Sequence, residues 1–195
     1  GENDQYGVRV NTAYHGGGTE VEKEDNSLGL ASIALDYRGD QLRLSGDLGY
    51  NNNRLKENRP SLRLTNAVTS VPSASQYADY HGQSWTYSNE EDVFGSYRAE
   101  YDFNDAVTAY AAYGFRVSEE AGVYSSQQLS NTETGAASLS ASTILRKDKN
   151  HTGEVGVKTK FNTGTLSHNV VLSGSMYRAD KRYSYGYATG VADNF

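Results

Sequence analysis

Residues 27–53, SLGLASIALDYRGDQLRLSGDLGYNNN, alternate with a period of two on either side of a short polar break at 38–41. In the second arm Leu42, Leu44, Gly46, Leu48 and Tyr50 fall in one phase. Arg43, Ser45, Asp47, Gly49 and Asn51 fall in the other. Successive side chains of a strand point to opposite faces, so this pattern predicts a hairpin with one apolar and one charged face. A transmembrane β-hairpin between lipid and a wet lumen has that character. So does a soluble antiparallel sheet with one solvated face, and alternation alone does not choose between them.

Composition narrows the classes. No run approaches the ~20 apolar residues that a spanning helix needs, and only 36% of the chain is hydrophobic. A barrel remains open, because its lumen-facing residues dilute the apolar content. The chain holds 16 Tyr against 5 Phe and 1 Trp, and an apolar ring with a polar tip suits strand ends at a membrane boundary as well as binding loops. A net charge of -6 without a basic run argues against nucleic acid as a partner, since phosphate binding needs clustered Lys and Arg. With no Cys, disulfides, thiolate metal sites and a Cys nucleophile are excluded. The chain opens GENDQYGV, without the apolar core of a signal peptide, and is expected to be either processed or a piece of a longer protein.

The same alternation recurs along the chain. Tyr6, Val8, Val10, Thr12 and Tyr14 mark a first strand, and Ala31, Ile33, Leu35 and Tyr37 the second. Leu28 and Leu30 are out of phase with the second, which suggests a bulge near Leu30. After the third strand a polar segment over 52–91 holds both prolines and Trp85. A fourth strand carries Val93, Gly95, Tyr97, Ala99, Tyr101 and Phe103 on its apolar face, and a fifth Val107, Ala109, Ala111, Tyr113, Phe115 and Val117. Residues 119–151 are polar and weakly patterned, with strands expected to run into them beyond any bilayer. The sixth strand is predicted over 152–161, and the seventh around Val170, Leu172, Gly174 and Met176.

Two regularities favour the membrane. The connections alternate between short (38–41, 104–105, 162–165) and long (16–26, 52–91, 119–151), as periplasmic turns and extracellular loops do in outer-membrane barrels. Aromatic residues also fall at strand ends: Tyr6, Tyr37, Tyr101, Phe103 and Phe161 near the short turns, and Tyr14, Tyr50, Tyr113 and Phe115 near the long loops. Eight steps of ~3.4 Å from Tyr6 to Tyr14 give roughly 27 Å of strand. At a tilt of about 40° that is roughly 20 Å of height, close to the ~25 Å apolar band of such barrels. The fold expected is all-β, an antiparallel up-and-down transmembrane barrel segment of about seven strands. An open sheet edge in lipid would leave backbone groups unpaired, so residues 1–195 are expected to form the early part of a larger barrel.

The stretches YGVRVNTAY, LGLASIALDYRGDQLRLSGDLGY, QSWTYSNEEDVFGSYRAEYDFNDAVTAYAAYGFR and GEVGVKTKFNTGTLSHNVVLSG resemble the first strands of TonB-dependent siderophore receptors. The resemblance covers nearly the whole chain and keeps the order of strands, turns and loops. It implies a barrel of about 22 strands around an N-terminal plug domain, in the outer membrane of a Gram-negative bacterium. Such a receptor takes up a ferric siderophore with energy from TonB. The plug, the TonB-contacting segment and the remaining strands are absent from this sequence. The partners implied are a ferric siderophore, outer-membrane lipid, the plug and TonB. No cofactor is expected, the iron chelate being substrate.

No HExxH, CxxC, P-loop or nucleophile elbow occurs, and a transporter rather than an enzyme is expected. His15, His81, His151 and His168 show no ligand spacing, and the acidic run Glu20, Glu22, Glu24, Asp25 lacks the order of a calcium loop. The charges Arg9, Arg43, Asp47, Arg98, Glu100, Asp102, Arg116, Glu154, Lys158 and Lys160 are in the inward phase. In a membrane barrel such charges persist where they meet water, one another or a plug. Under the resemblance, Arg43, Arg98, Glu100, Asp102 and Lys158 would pair with the plug or with neighbouring strands, and Arg9 and Asp47 would also face it. Arg116, nearer the outside, would suit an anionic chelate. Tyr77, Tyr80, His81, Trp85 and Tyr87 cluster in 52–91 as candidate chelate contacts, although Trp85 and Tyr87 suit an aromatic belt at the top of the fourth strand somewhat better. Tyr183, Tyr185 and Tyr187 alternate in the same way near a further loop. Two other readings stay open: a porin or adhesin barrel, and a soluble carbohydrate-binding β protein.

Overall fold

The computed structural model describes residues 5–68, 71 and 83–189. These form one eight-stranded sheet: β1 (Tyr6–Gly18), β2 (Asp25–Arg38), β3 (Leu42–Lys56), β4 (Ser61–Leu64), β5 (Tyr87–Asn104), β6 (Val107–Leu129), β7 (Ala137–Thr163) and β8 (Leu166–Thr189). The seven long strands pair antiparallel in the order β1-β2-β3-β5-β6-β7-β8. β4 lies off this path and pairs parallel with the far end of β6, Ser61 opposite Ser126 and Leu64 opposite Leu129. β1 and β8 do not pair with each other, so the sheet is open.

Register carries the two faces across the sheet. One rung runs Val8–Leu35–Gly46–Tyr97–Tyr113–Gly153–Met176, and the next Val10–Ile33–Leu48–Gly95–Phe115. Residues opposite each other in antiparallel strands share a face, so every residue of the predicted apolar phase lies on one continuous surface. It is uncovered: Val8 is 69% and Leu172 77% exposed. An apolar surface of this extent on a soluble monomer would be exceptional, whereas lipid is its natural solvent. The opposite face carries Arg9, Arg43, Asp47, Arg98, Glu100, Asp102, Arg116, Glu154, Lys158 and Lys160. We call the apolar face outward and the charged face inward.

Three expectations are corrected. No bulge occurs at Leu30, since β2 keeps an unbroken register with β1 and β3. Leu28 and Leu30 lie on the inward face, opposite His15 and Ala13. The irregularity lies instead between Asp102 and Asn104, where the Asn104 side-chain oxygen accepts from the N–H groups of Ala106 and Val107 and closes the turn. The long connection drawn at 119–151 is shorter than expected: the strands expected to run into it do so, β6 and β7 extending to a connection over 130–136. Their 23 and 27 residues far exceed the ~9–11 that cross a bilayer, so the hairpin projects beyond the apolar band. Likewise 16–26 shrinks to a connection over 19–24, and 52–91 contains β4.

Leu44 faces outward and Ser45 inward on β3. In the full-length protein Leu44→Arg is expected to impair folding into detergent or lipid, by about 2–4 kcal/mol, and Ser45→Arg to fold with far smaller loss. Heat-modifiable migration on gels checks this, and equal yields from the two variants would reverse the face assignment.

Candidate functional site on the charged face

Near the short turns the inward register brings together charges distant in sequence. Arg43 on β3 stands opposite Glu100 on β5, Glu100 opposite Tyr110 on β6, and Thr108 opposite Lys158 on β7. Glu100 is the hub. It accepts from Arg43 Nη2 at 3.1 Å, from Arg98 Nη2 at 2.6 Å and Nε at 2.9 Å, and from Lys158 Nζ at 2.8 Å. Arg43 also donates to both carboxylate oxygens of Asp102, by Nη2 at 2.9 Å and by Nη1. The Thr108 hydroxyl donates to Asp102 at 2.5 Å. Three cations therefore share two carboxylates on three strands, β3, β5 and β7, and Thr108 adds a contact from β6. The hub side chain is 16% exposed and the three cations about 40%, so the cluster keeps a wet cationic rim.

Tyr110 completes the cluster from an unanticipated direction. Arg98 sits 4.5 Å and Lys158 5.3 Å from its ring centroid, within the range of cation–π attraction. Its hydroxyl donates to Glu154. The ring lies across Gly156, where an added Cβ would stand 2.6 Å from ring carbons. The glycine is needed so that Tyr110 can lie flat between its cations. Its signal in the sequence was an aromatic residue in the charged phase of β6.

Further along the inward face, Ser96 donates to Asp47 at 2.5 Å, and Arg9 stands opposite Ala34. Beyond these, Arg116 clamps Asp92 through Nε and Nη2, both at 2.9 Å, while Ser118 donates to the same carboxylate at 2.5 Å. Arg146 donates to Asp148 at 2.5 Å, and this bond holds the Asp148 carboxyl below its ordinary range. These groups line a groove of about 370 Å³. Arg116 is thus engaged, yet its side chain stays 59% exposed. The partners Asp92, Arg146 and Asp148 did not stand out in the sequence, because their roles depend on register.

Of the candidate chelate contacts, Tyr77, Tyr80 and His81 lie outside the described residues. Trp85 belongs to a turn over 83–86, fixed at its base by Thr86. The Thr86 hydroxyl donates to the Gln83 carbonyl at 2.8 Å, and the Thr86 carbonyl accepts from Glu57 N–H at 2.9 Å. Tyr87 shares the outward face of Val93, not the inward face of Arg116. Tyr183 and Tyr185 face inward beside Arg146 and Ile144, with ring centroids 5.4 Å apart. Among the described residues no group of three His, Cys, Asp or Glu is placed to hold a metal ion.

No protein-family model matches the chain. Its sequence is 33% identical over 182 residues to the ferrichrome receptor FcuA of Yersinia enterocolitica, spanning 93% of this chain and 24% of that receptor. The fold is similar to that of BauA, the ferric preacinetobactin receptor of Acinetobacter baumannii, with a TM-score of 0.87 and 23% identity, over all of this chain and 30% of that one. FpvA of P. aeruginosa gives 0.78 at 11% identity over 94% of this chain and 25% of that one. The ferric-catecholate import receptor Fiu of E. coli K12 gives 0.72 at 17%, over 92% and 30%. The chain spans about a quarter of the length of the curated relative it matches.

Glu100→Gln in the full-length protein is expected to lower unfolding stability by about 1–2 kcal/mol, because charge-assisted bonds from three cations lose their anion. Asp47→Asn, which disturbs one serine contact, is expected to cost less. Urea titration compares them, and a smaller effect at Glu100 would contradict its place as hub.

Proposed function

Because the chain belongs to the TonB-dependent siderophore receptors, as a stretch of their barrel, we propose that the full-length protein is an outer-membrane receptor. It would bind a ferric siderophore from outside and pass it to the periplasm with TonB-coupled energy. The observation that carries this reading is the sheet itself. Seven long strands have one face that is apolar toward the short turns and one charged face, in a chain a third identical to a ferrichrome receptor. The named cargoes of the similar proteins differ, from ferrichrome to ferric preacinetobactin and pyoverdine, which supports a ferric chelate as the substrate class and leaves the individual chelate to experiment.

In this reading the cluster around Glu100 faces the plug. Arg43, Arg98 and Lys158 present their exposed edges to it, and Glu100 and Asp102 keep those cations in place. Arg9 and Asp47 face the same lumen. The chain's role is to be wall: apolar outside, polar inside, and rigid enough to seat a second domain. At the outer end, Arg116 and Trp85, with Tyr77, Tyr80 and His81, are the proposed chelate contacts. The outward phase of Tyr87 takes it out of that set and suits the aromatic belt. The two carboxylate-bound nitrogens of Arg116 fix its guanidinium in position, so it can meet an anionic chelate without first being ordered.

Binding of a panel of ferric chelates, ferrichrome included, to the purified full-length protein tests the proposal. At least one is expected to bind with a Kd of about 1 μM or below, and Trp85→Ala to weaken it. Failure of every chelate to bind, together with passive conductance of small solutes, would instead make the protein a porin.

A further inference from the structure

From the short turns up to the level of Arg116, the inward phase of the seven long strands holds three aromatic rings, Phe94, Tyr110 and Tyr177. Each is held down against the wall. Phe94 stands directly opposite Gly49, and the far edge of its ring fills the space a side chain would take there. A Cβ added to Gly49 would collide with that edge, with Cε2 only 2.7 Å away. Tyr110 treats Gly156 in the same way from the opposite position on β6, and is only 8% exposed. Tyr177 reaches sideways, its hydroxyl donating to Asn150 on β7 at 2.7 Å.

Polar side chains of the same band also bond along the wall. Asn11 donates to Ser32 at 3.2 Å and Ser96 to Asp47 at 2.5 Å, each pair spanning two strands. The outward face is less strict. Phe115 lies over Gly95, with ring carbon 2.8 Å from an added Cβ, but Tyr6, Tyr14 and Phe103 stand 62%, 82% and 60% exposed. Fluid lipid accommodates a standing ring, whereas a rigid body packed at interior density does not. A glycine inside a strand weakens it and marks a place of close approach. At Gly49 and Gly156 the approach is that of the ring itself, and its effect is a lowered inner wall.

We propose that Gly49 and Gly156 are clearance positions for the plug: each lets an inward ring lie down, and the lowered wall between them is the surface on which the plug seats. This rests on the receptor reading, which supplies the plug. The surface is continuous with the cluster around Glu100, since Tyr110 belongs to both and its cations Arg98 and Lys158 present their exposed edges to the same side. Gly49 thus acts through Phe94, as a positioning residue for the fit between wall and plug.

Hydrogen exchange of plug amides, read by mass spectrometry on the full-length protein in detergent, tests this once heat-modifiable migration shows a folded barrel. Gly49→Ala is expected to drive Phe94 upright and to speed exchange in the plug roughly tenfold, with β3 and β5 unchanged. Adding Phe94→Ala is expected to return exchange close to wild type. Ser32→Phe stands a ring beside Gly49, whose space Phe94 already fills, and is expected to loosen the plug likewise. It decides the matter where Gly49→Ala fails to assemble. Plug exchange unchanged in the folded variants overturns the clearance role alone. So does faster exchange confined to β3 and β5, which assigns Gly49 to strand pairing, or loosening that Phe94→Ala does not reverse. A full-length protein with no domain inside its barrel overturns the receptor reading and the clearance role together.

Discussion

Backbone hydrogen bonds leave this chain little choice. In a bilayer no water meets an unpaired N–H or C=O, and each costs several kcal/mol, so strands that cross must pair without a gap. The long strands do so: β2 pairs residue by residue with β1 and with β3, and β6 with β7 from Val107 to Leu129. Once register is unbroken, the period of two fixes the rest. A slip of one residue would turn Leu35, Leu48 and Tyr97 into the lumen and Asp36, Asp47 and Arg98 into lipid.

That constraint also explains how the charged face can hold so many ions. Arg43, the β5 pair Glu100 and Asp102, and Lys158 are far apart in sequence but brought together across the ladder, and the cluster follows from register plus a turn closed by Asn104. Glu100 collects three cations, and Tyr110, flat over Gly156, holds two of them from the side. β3, β5, β6 and β7 are thereby tied together on the inward face by ions and the Tyr110 ring, as apolar contact ties the outward face. Beyond the membrane, where both faces are wet, the ties change: Arg116 with Asp92, Arg146 with Asp148, and Thr86 against the 57–58 backbone.

How far sequence reaches follows the same physics. Where one face meets lipid, selection leaves a period-two record, and the strands from Tyr6, Leu42 and Val107 could be read directly. Where lipid ends, the record fades: strands are expected to run into 119–151, yet no alternation marks how far, and Glu119, Glu120, Ser125 and Ser126 all lie in β6. Leu28 and Leu30 misled in the opposite sense, because a lumen wall tolerates leucine and their phase implied a bulge that β2 does not have. The partners of Glu100 and Arg116 could not be read at all, since alternation tells which face a charge is on and not which charge stands beside it. β4 escaped for a related reason: four residues in parallel pairing leave no distinctive pattern.

The central claim is that one face of this sheet meets lipid and the other water. Spin labels placed singly at successive positions from 93 to 103 on β5 of the full-length protein in bilayers test it directly, read by collision with oxygen and with a water-soluble nickel chelate. Oxygen accessibility is expected to peak at Val93, Gly95, Tyr97, Ala99 and Tyr101, and nickel accessibility at Phe94, Ser96, Arg98, Glu100 and Asp102, the two profiles out of phase. Profiles that rise and fall together, or nickel reaching both faces alike, would contradict a lipid-facing surface and return the sheet to water.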